Sequence, residues 1–152
     1  MNLRFAIAET SDATKLTQVS IEAFHTDFTV AGRETAGGPP GYDSIDFHEK
    51  MILESSKFYK VLVDDSIAGA FWFNVTDAEE AYLYRVFIDP AFHKMGIGLK
   101  IFQFLFQNFS NIKCWQLKVP SWNTRTPSFY TKLGFRIIET TEKFLFFSKS
   151  ID

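Results

Sequence analysis

The chain has 152 residues, 46% of them apolar, with 16 basic and 18 acidic side chains and a net charge of -2. That length suits one domain with a sizeable core, and the balanced charge gives no electrostatic case for nucleic acid or an anionic membrane. A lone cysteine, Cys114, excludes an internal disulfide, and neither a signal-peptide-like start nor a membrane-length apolar run is present, so a cytoplasmic protein is expected.

Leu3 to Ala8 alternates and predicts a first strand. Thr10, Ser11 and Asp12 offer caps for a helix running to about Phe24. Ala31 to Ser44, with four glycines and two prolines, predicts a loop, and a short helix follows over Ile45 to Glu54, capped by Ser44. Phe58 to Val63, Ile67 to Val75 and Ala81 to Ile88 read as an antiparallel meander, turning at Asp64-Asp65 and at Asp77 to Glu80 and stopped by Asp89-Pro90. Gly96 to Phe109 predicts a helix apolar on two sides, buried in a core or against a partner. Cys114 to Val119 is a strand, Thr124 to Leu133 a helix ended by Gly134, and Phe135 to Ile138 and Lys143 to Ser148 are two closing strands. The order is mixed α/β, and the 18 Phe residues predict a core rich in aromatic rings.

The chemically informative segment is Phe87-Ile88-Asp89-Pro90-Ala91-Phe92-His93-Lys94-Met95-Gly96-Ile97-Gly98. A strand ends, a glycine-containing loop follows, and a helix begins, which is where free N–H groups and the helix dipole bind anions. Gly96 and Gly98 let a phosphate approach the backbone, and Lys94 and Lys100 add charge. The pattern is neither a P-loop nor a dinucleotide fingerprint, which needs a third glycine where Ile101 stands. A helix start that uses glycine only for tight packing explains the same residues.

Two motifs resemble the GNAT superfamily of N-acetyltransferases. Ile88-Asp89-Pro90 followed by His93-Lys94-Met95-Gly96-Ile97-Gly98 is similar to the family's R/Q-x-x-G-x-G/A loop, with His93 where Arg or Gln is usual. Asn123 followed by Phe129-Tyr130-Thr131-Lys132-Leu133-Gly134-Phe135 is similar to its later motif. Gly37-Gly38-Pro39-Pro40-Gly41-Tyr42-Asp43-Ser44, with Pro120-Ser121-Trp122-Asn123, resembles a set of small bacterial members. The resemblance covers nearly the whole chain. It implies a mostly antiparallel sheet of about seven strands flanked by about four helices, acetyl-CoA as co-substrate, and acetyl transfer to an amine.

By the same resemblance, Val86, Phe87 and Ile88 would hold the thioester and pantetheine arm through the main chain. His93, Lys94, Met95, Gly96, Ile97 and Gly98 would hold the pyrophosphate. Asn123 would bond the arm, or cap the following helix, and Tyr130 would protonate the departing thiolate, or simply pack. The general base has no clear candidate: Glu80 is the side-chain choice, a solvated turn at Glu79-Glu80 explains it better, and a water relay through Tyr82 or a backbone carbonyl serves as well. The Gly37 to Ser44 loop would face the acceptor, with Tyr42, Asp43 and Asp46 toward a cationic amine; a rigid Pro-Gly turn with no ligand explains the same loop at least as well. The acceptor is a small-molecule amine or a protein amine. A non-catalytic CoA-binding sensor or interaction domain is the competing reading, and a homodimer is open. His25, His48 and His93 lack metal-ligand spacing, so no metal is expected.

Overall fold

The computed structural model describes residues 1–33 and 37–151, so residues 34–36 of the expected Gly/Pro loop lie outside the described residues. In chain order the elements are β1 (Leu3–Ile7), α1 (Ala13–Val30), α2 (Ile45–Glu54), β2 (Lys57–Val63), β3 (Ser66–Asp77), β4 (Glu80–Ile88), α3 (Ile97–Asn108), β5 (Cys114–Pro120), α4 (Pro127–Lys132), β6 (Arg136–Thr140) and β7 (Phe144–Ser150). One-turn 3-10 helices at Thr10–Asp12 and Pro90–Phe92 lie before α1 and between β4 and α3. The strands form one seven-stranded sheet in the order β1-β2-β3-β4-β5-β7-β6. Every adjacent pair is antiparallel except β4 with β5. The expected mixed α/β architecture is present.

β3 is apolar on both faces because both faces of the sheet are covered. Phe71 and Phe73 enter one core cluster with Ile101, Phe102 and Leu105 of α3, which explains why α3 is apolar on two sides. Ala70 and Trp72 enter a second cluster with Leu16 and Val19 of α1. Aromatic rings dominate both: Trp72 stacks on Phe58 at 4.3 Å between centroids, and Phe73 meets Trp115 edge-on at 5.1 Å.

Three departures from the expected elements matter for the site. The β3–β4 ladder pairs Trp72 with Arg85 but the next residue, Phe73, with Leu83, so Tyr84 is an extra, bulged residue. The bulge switches the facing of β4. Ala81 and Leu83 point into the α3 cluster, whereas Phe87 points toward α1. The expected alternating face of Glu80, Tyr82 and Tyr84 therefore ends at the bulge. Second, α1 continues past Phe24 to Val30, because Asp27 is buried with a partner instead of ending the apolar stripe. Third, α4 starts at Pro127 and not Thr124: the Asn123 side chain caps the preceding turn by accepting from the backbone N–H of Arg125 and Thr126.

His48 joins α2 to α1 and carries a pH dependence. Its Nδ1 lies 2.9 Å from the Ser44 carbonyl, which only accepts, so Nδ1 holds the proton of the neutral ring. Nε2 is buried without a partner among the described residues, and the Trp72 and Phe87 rings are close by. Burial pushes the His48 pKa below the usual 6.5, the Ser44 bond opposes this, and Arg85 adds repulsion. The unfolded chain therefore takes up this proton first as the pH falls. Stability is fully present above pH 6.5 and is lost as the pH drops toward the lower folded value. The slope from one such group reaches at most about 1.4 kcal/mol per pH unit. Denaturant titrations across this window should show the slope, and His48→Gln should remove that part of it; an unchanged slope in the variant would show that another group carries it.

Candidate active site

Parallel pairing of β4 with β5 covers only Glu80 with Cys114, Ala81 with Trp115 and Tyr82 with Gln116. Beyond these pairs the strands diverge. A cavity of about 520 Å³ lies in the gap between Tyr82–Val86 and Leu117–Pro120, with Pro39 and Pro40 also on its wall. A second, of about 340 Å³, lies between Val86–Ile88, the start of α3 and Phe129. Both lie in the size range of small-ligand sites, about 300–1,000 Å³. Val86, Arg125, Thr126 and Tyr130 line both, so the two cavities meet there.

The smaller cavity is built by the start of α3. Lys94 and Gly96 both have positive φ, 66° and 77°, and Gly96 is the left-handed N-cap. A Cβ at Gly96 would meet nothing within 4 Å, so the approach to this turn is open. At Gly98 a Cβ would come 3.1 Å from Cζ of Phe129, so this glycine sets the close approach of α3 to α4. The first amides of α3 lack intrahelical acceptors, and with the helix dipole they are the kind of groups that attract an anion. His93 donates from Nε2 to the Ile88 carbonyl at 2.9 Å, fastening the loop to the end of β4.

The structure brings Val86, Phe87, Ile88, His93 and Lys94 together with Gly96, Ile97, Gly98 and Tyr130 around this smaller cavity. Met95 belongs to the same loop but is 48% exposed and lines neither cavity. Asn123 lines the larger cavity, where the capping bonds occupy its Oδ1. Glu80 sits on the paired side of the divergence and lines neither cavity. Tyr42 points its hydroxyl at His25, 3.0 Å away, and neither it nor Asp43 or Asp46 lines a cavity.

Tyr130 stands where the cavities meet, its ring packed among Phe102, Phe129 and Phe135. Burial pushes its pKa up to about 12, with Arg125 lowering it and Asp27 raising it by smaller amounts. The hydroxyl therefore keeps its proton throughout the neutral range. Asp27, 6% exposed, accepts from Nε of Arg125 at 2.8 Å and ties α1 to the segment before α4. Sequence reasoning missed this pair and Arg85. A carboxylate just beyond the apolar stripe of α1 was the only signal for Asp27, and nothing in the sequence marks the bulge that aims Arg85. Among the described residues no group of three or more His, Cys, Asp or Glu is placed to hold a metal ion, and no helix is long and apolar enough to cross a membrane.

No protein with a curated function matches the sequence. Among solved structures, the PaiA N-acetyltransferase of Thermoplasma acidophilum, in complex with coenzyme A, superposes with a TM-score of 0.83 at 18% identity, covering 99% of each chain. An acetyltransferase from Thermus thermophilus gives 0.81 at 15%, covering 99% of this chain and 98% of that one. The ribosomal-protein-S18-alanine N-acetyltransferase of Escherichia coli gives 0.70 at 17%, covering 99% and 95%. At these identities the likeness establishes the fold. The sequence model of the acetyltransferase (GNAT) family matches residues 21–135, and with most of the chain inside that match, the chain belongs to the GNAT family of acetyltransferases.

Proposed function

We propose that the protein transfers an acetyl group from acetyl-CoA to an amine by direct attack. The observation that carries this reading is the divergence of β4 from β5, which puts an anion-ready helix start on one side and a separate cavity on the other, with Tyr130 at their junction. The coenzyme A complex of the Thermoplasma PaiA structure supports it.

Acetyl-CoA supplies an activated thioester. The first-turn amides of α3 and the Lys94 ammonium would hold its pyrophosphate. Peptide groups of Val86 to Ile88, without a strand partner on the β5 side, would hold the arm and the thioester carbonyl, where a fixed N–H acts on developing negative charge. The Nδ2 donors of Asn123 remain for the arm. The acceptor amine must be neutral to attack. As the C–N bond forms and the C–S bond breaks, its surplus proton leaves through water at Tyr82, which lines the larger cavity. Tyr130 gives its proton to the departing thiolate and is reprotonated by solvent.

Acetyl-CoA should raise the melting temperature, as any ligand of the native state does by mass action. A panel of amines should release free CoA with at least one member. Binding without any turnover would favour the non-catalytic reading, and no binding by calorimetry would remove both. Gly98→Glu should keep the fold, since a carboxylate in the first turn of α3 suits the helix dipole, and Phe129 has only a few tenths of an ångström to yield. Gly98 lines the smaller cavity, so a carboxylate there would repel the phosphates and affinity for acetyl-CoA should fall at least tenfold; unchanged affinity would place the phosphates elsewhere. Tyr130→Phe separates proton donation from packing. Tyr130 packs through its ring and borders both cavities, so loss of the hydroxyl alone should barely move the melting temperature. The kcat should drop roughly a hundredfold, the scale of a positioned proton donor. Turnover within about threefold of the parent would assign the proton to solvent.

A further inference from the structure

Among the described residues Arg85 is a cation without an anion. It lies next to the bulged Tyr84 and pairs with Trp72 across the ladder, on the face turned toward α1 and α2. Its guanidinium carbon is 5.1 Å from the ring centre of Phe47, 5.3 Å from Tyr84, 5.7 Å from Trp72 and 5.9 Å from Phe24. Nη2 donates to the Pro40 carbonyl at 3.1 Å, whereas Nη1 is buried with no partner among the described residues. The ion pairs among those residues are Arg4–Asp65, Lys60–Asp12 and Arg125–Asp27, so none of their carboxylates serves Arg85.

Four rings and one carbonyl offset only part of the desolvation of a guanidinium, and burial pulls its pKa down to about 10. The rest of the larger cavity's wall has the same sign. Asp27 is neutralised by Arg125, and Lys118 has its Nζ 4.2 Å above the Phe144 ring. Two cations without acidic partners among the described residues thus line a cavity in a chain whose net charge is -2. The acidic residues expected to receive a cationic acceptor, Asp43 and Asp46, are not on this wall.

We propose that the acceptor is a small amine that itself carries an anionic group, a carboxylate or a phosphate, and that Arg85 receives this group in the larger cavity with Lys118 as the second cation. The planar fork of Arg85 suits a carboxylate or phosphate. The same positive field disfavours an ammonium in the cavity and favours the neutral amine that attacks. A polyamine, with several positive charges, is excluded on the same ground. This inference rests on the acetyl-transfer reading above and specifies its acceptor.

The test is a set of matched acceptors with saturating acetyl-CoA, read as CoA release. One arm pairs the common amino acids with their amides, a second pairs amino sugars with their phosphates, and spermidine stands as the cationic probe. At least one anionic member should exceed its neutral counterpart at least tenfold in kcat/KM, and the responding arm identifies carboxylate or phosphate. In Arg85→Gln that ratio should fall to within about threefold of unity. Arg85→Lys, which keeps the charge but not the fork, should retain an intermediate preference, and it serves if the Gln variant does not fold. Equal rates for matched pairs, a preference for spermidine, an undiminished ratio in folded Arg85→Gln, or transfer to no anionic member would each overturn the proposal. Failure of acetyl-CoA to bind in calorimetry would instead overturn the acetyl-transfer reading itself.

Discussion

Two parallel strands that pair for three residues and then part create the rest of the site. A strand edge inside a sheet normally has every peptide group bonded to its neighbour, and a buried edge without partners is unfavourable. Here β4 leaves β5 after Tyr82, and the peptide groups beyond face a cavity. The bulge at Tyr84 comes two residues later and bends β4 while keeping it attached to β3. The parting of β4 from β5 leaves main-chain donors and acceptors facing the gap, and the bulge turns Arg85 toward α1.

The two sides of the gap differ chemically because different elements face them. On the α3 side the donors are backbone amides at a helix start, organised by the left-handed Gly96 and by the His93 bond to β4. On the other side they are long cationic side chains set among aromatic rings. The Asp27–Arg125 pair and Tyr130 stand between, and the pair holds α1 against the segment that leads into α4. Removing Arg125 would strand the buried Asp27 carboxylate, which is more damaging than the net worth of the pair.

Much of this was legible in the sequence, and the exceptions have physical reasons. The strand–loop–helix segment from Phe87 to Gly98 and the Leu133-Gly134-Phe135 helix end are local signals, so they were found where they stand. The β-meander and the buried α3 followed from hydrophobic periodicity. The bulge left no mark, because one extra residue in a strand of Tyr, Leu and Arg changes facing without changing composition. Glu80 was attractive only while β4 was read as an unbroken alternation. Asp27 and Arg125 are 98 residues apart, beyond any local pattern. Asn123 served as a cap, as its residue type suggests, but for a turn placed one step before the helix.

The abundance of phenylalanine has a consequence at the vertex where β4 and β5 separate. Trp115, paired there with Ala81, is 1% exposed and held edge-on by Phe73 from β3, with Phe106 of α3 against it at 6.2 Å. Rings packed at crystalline density resist the small rotations that would open or shut the angle between the strands. The walls are thus positioned when the chain folds, and a ligand arriving later has little main-chain freedom left to suppress.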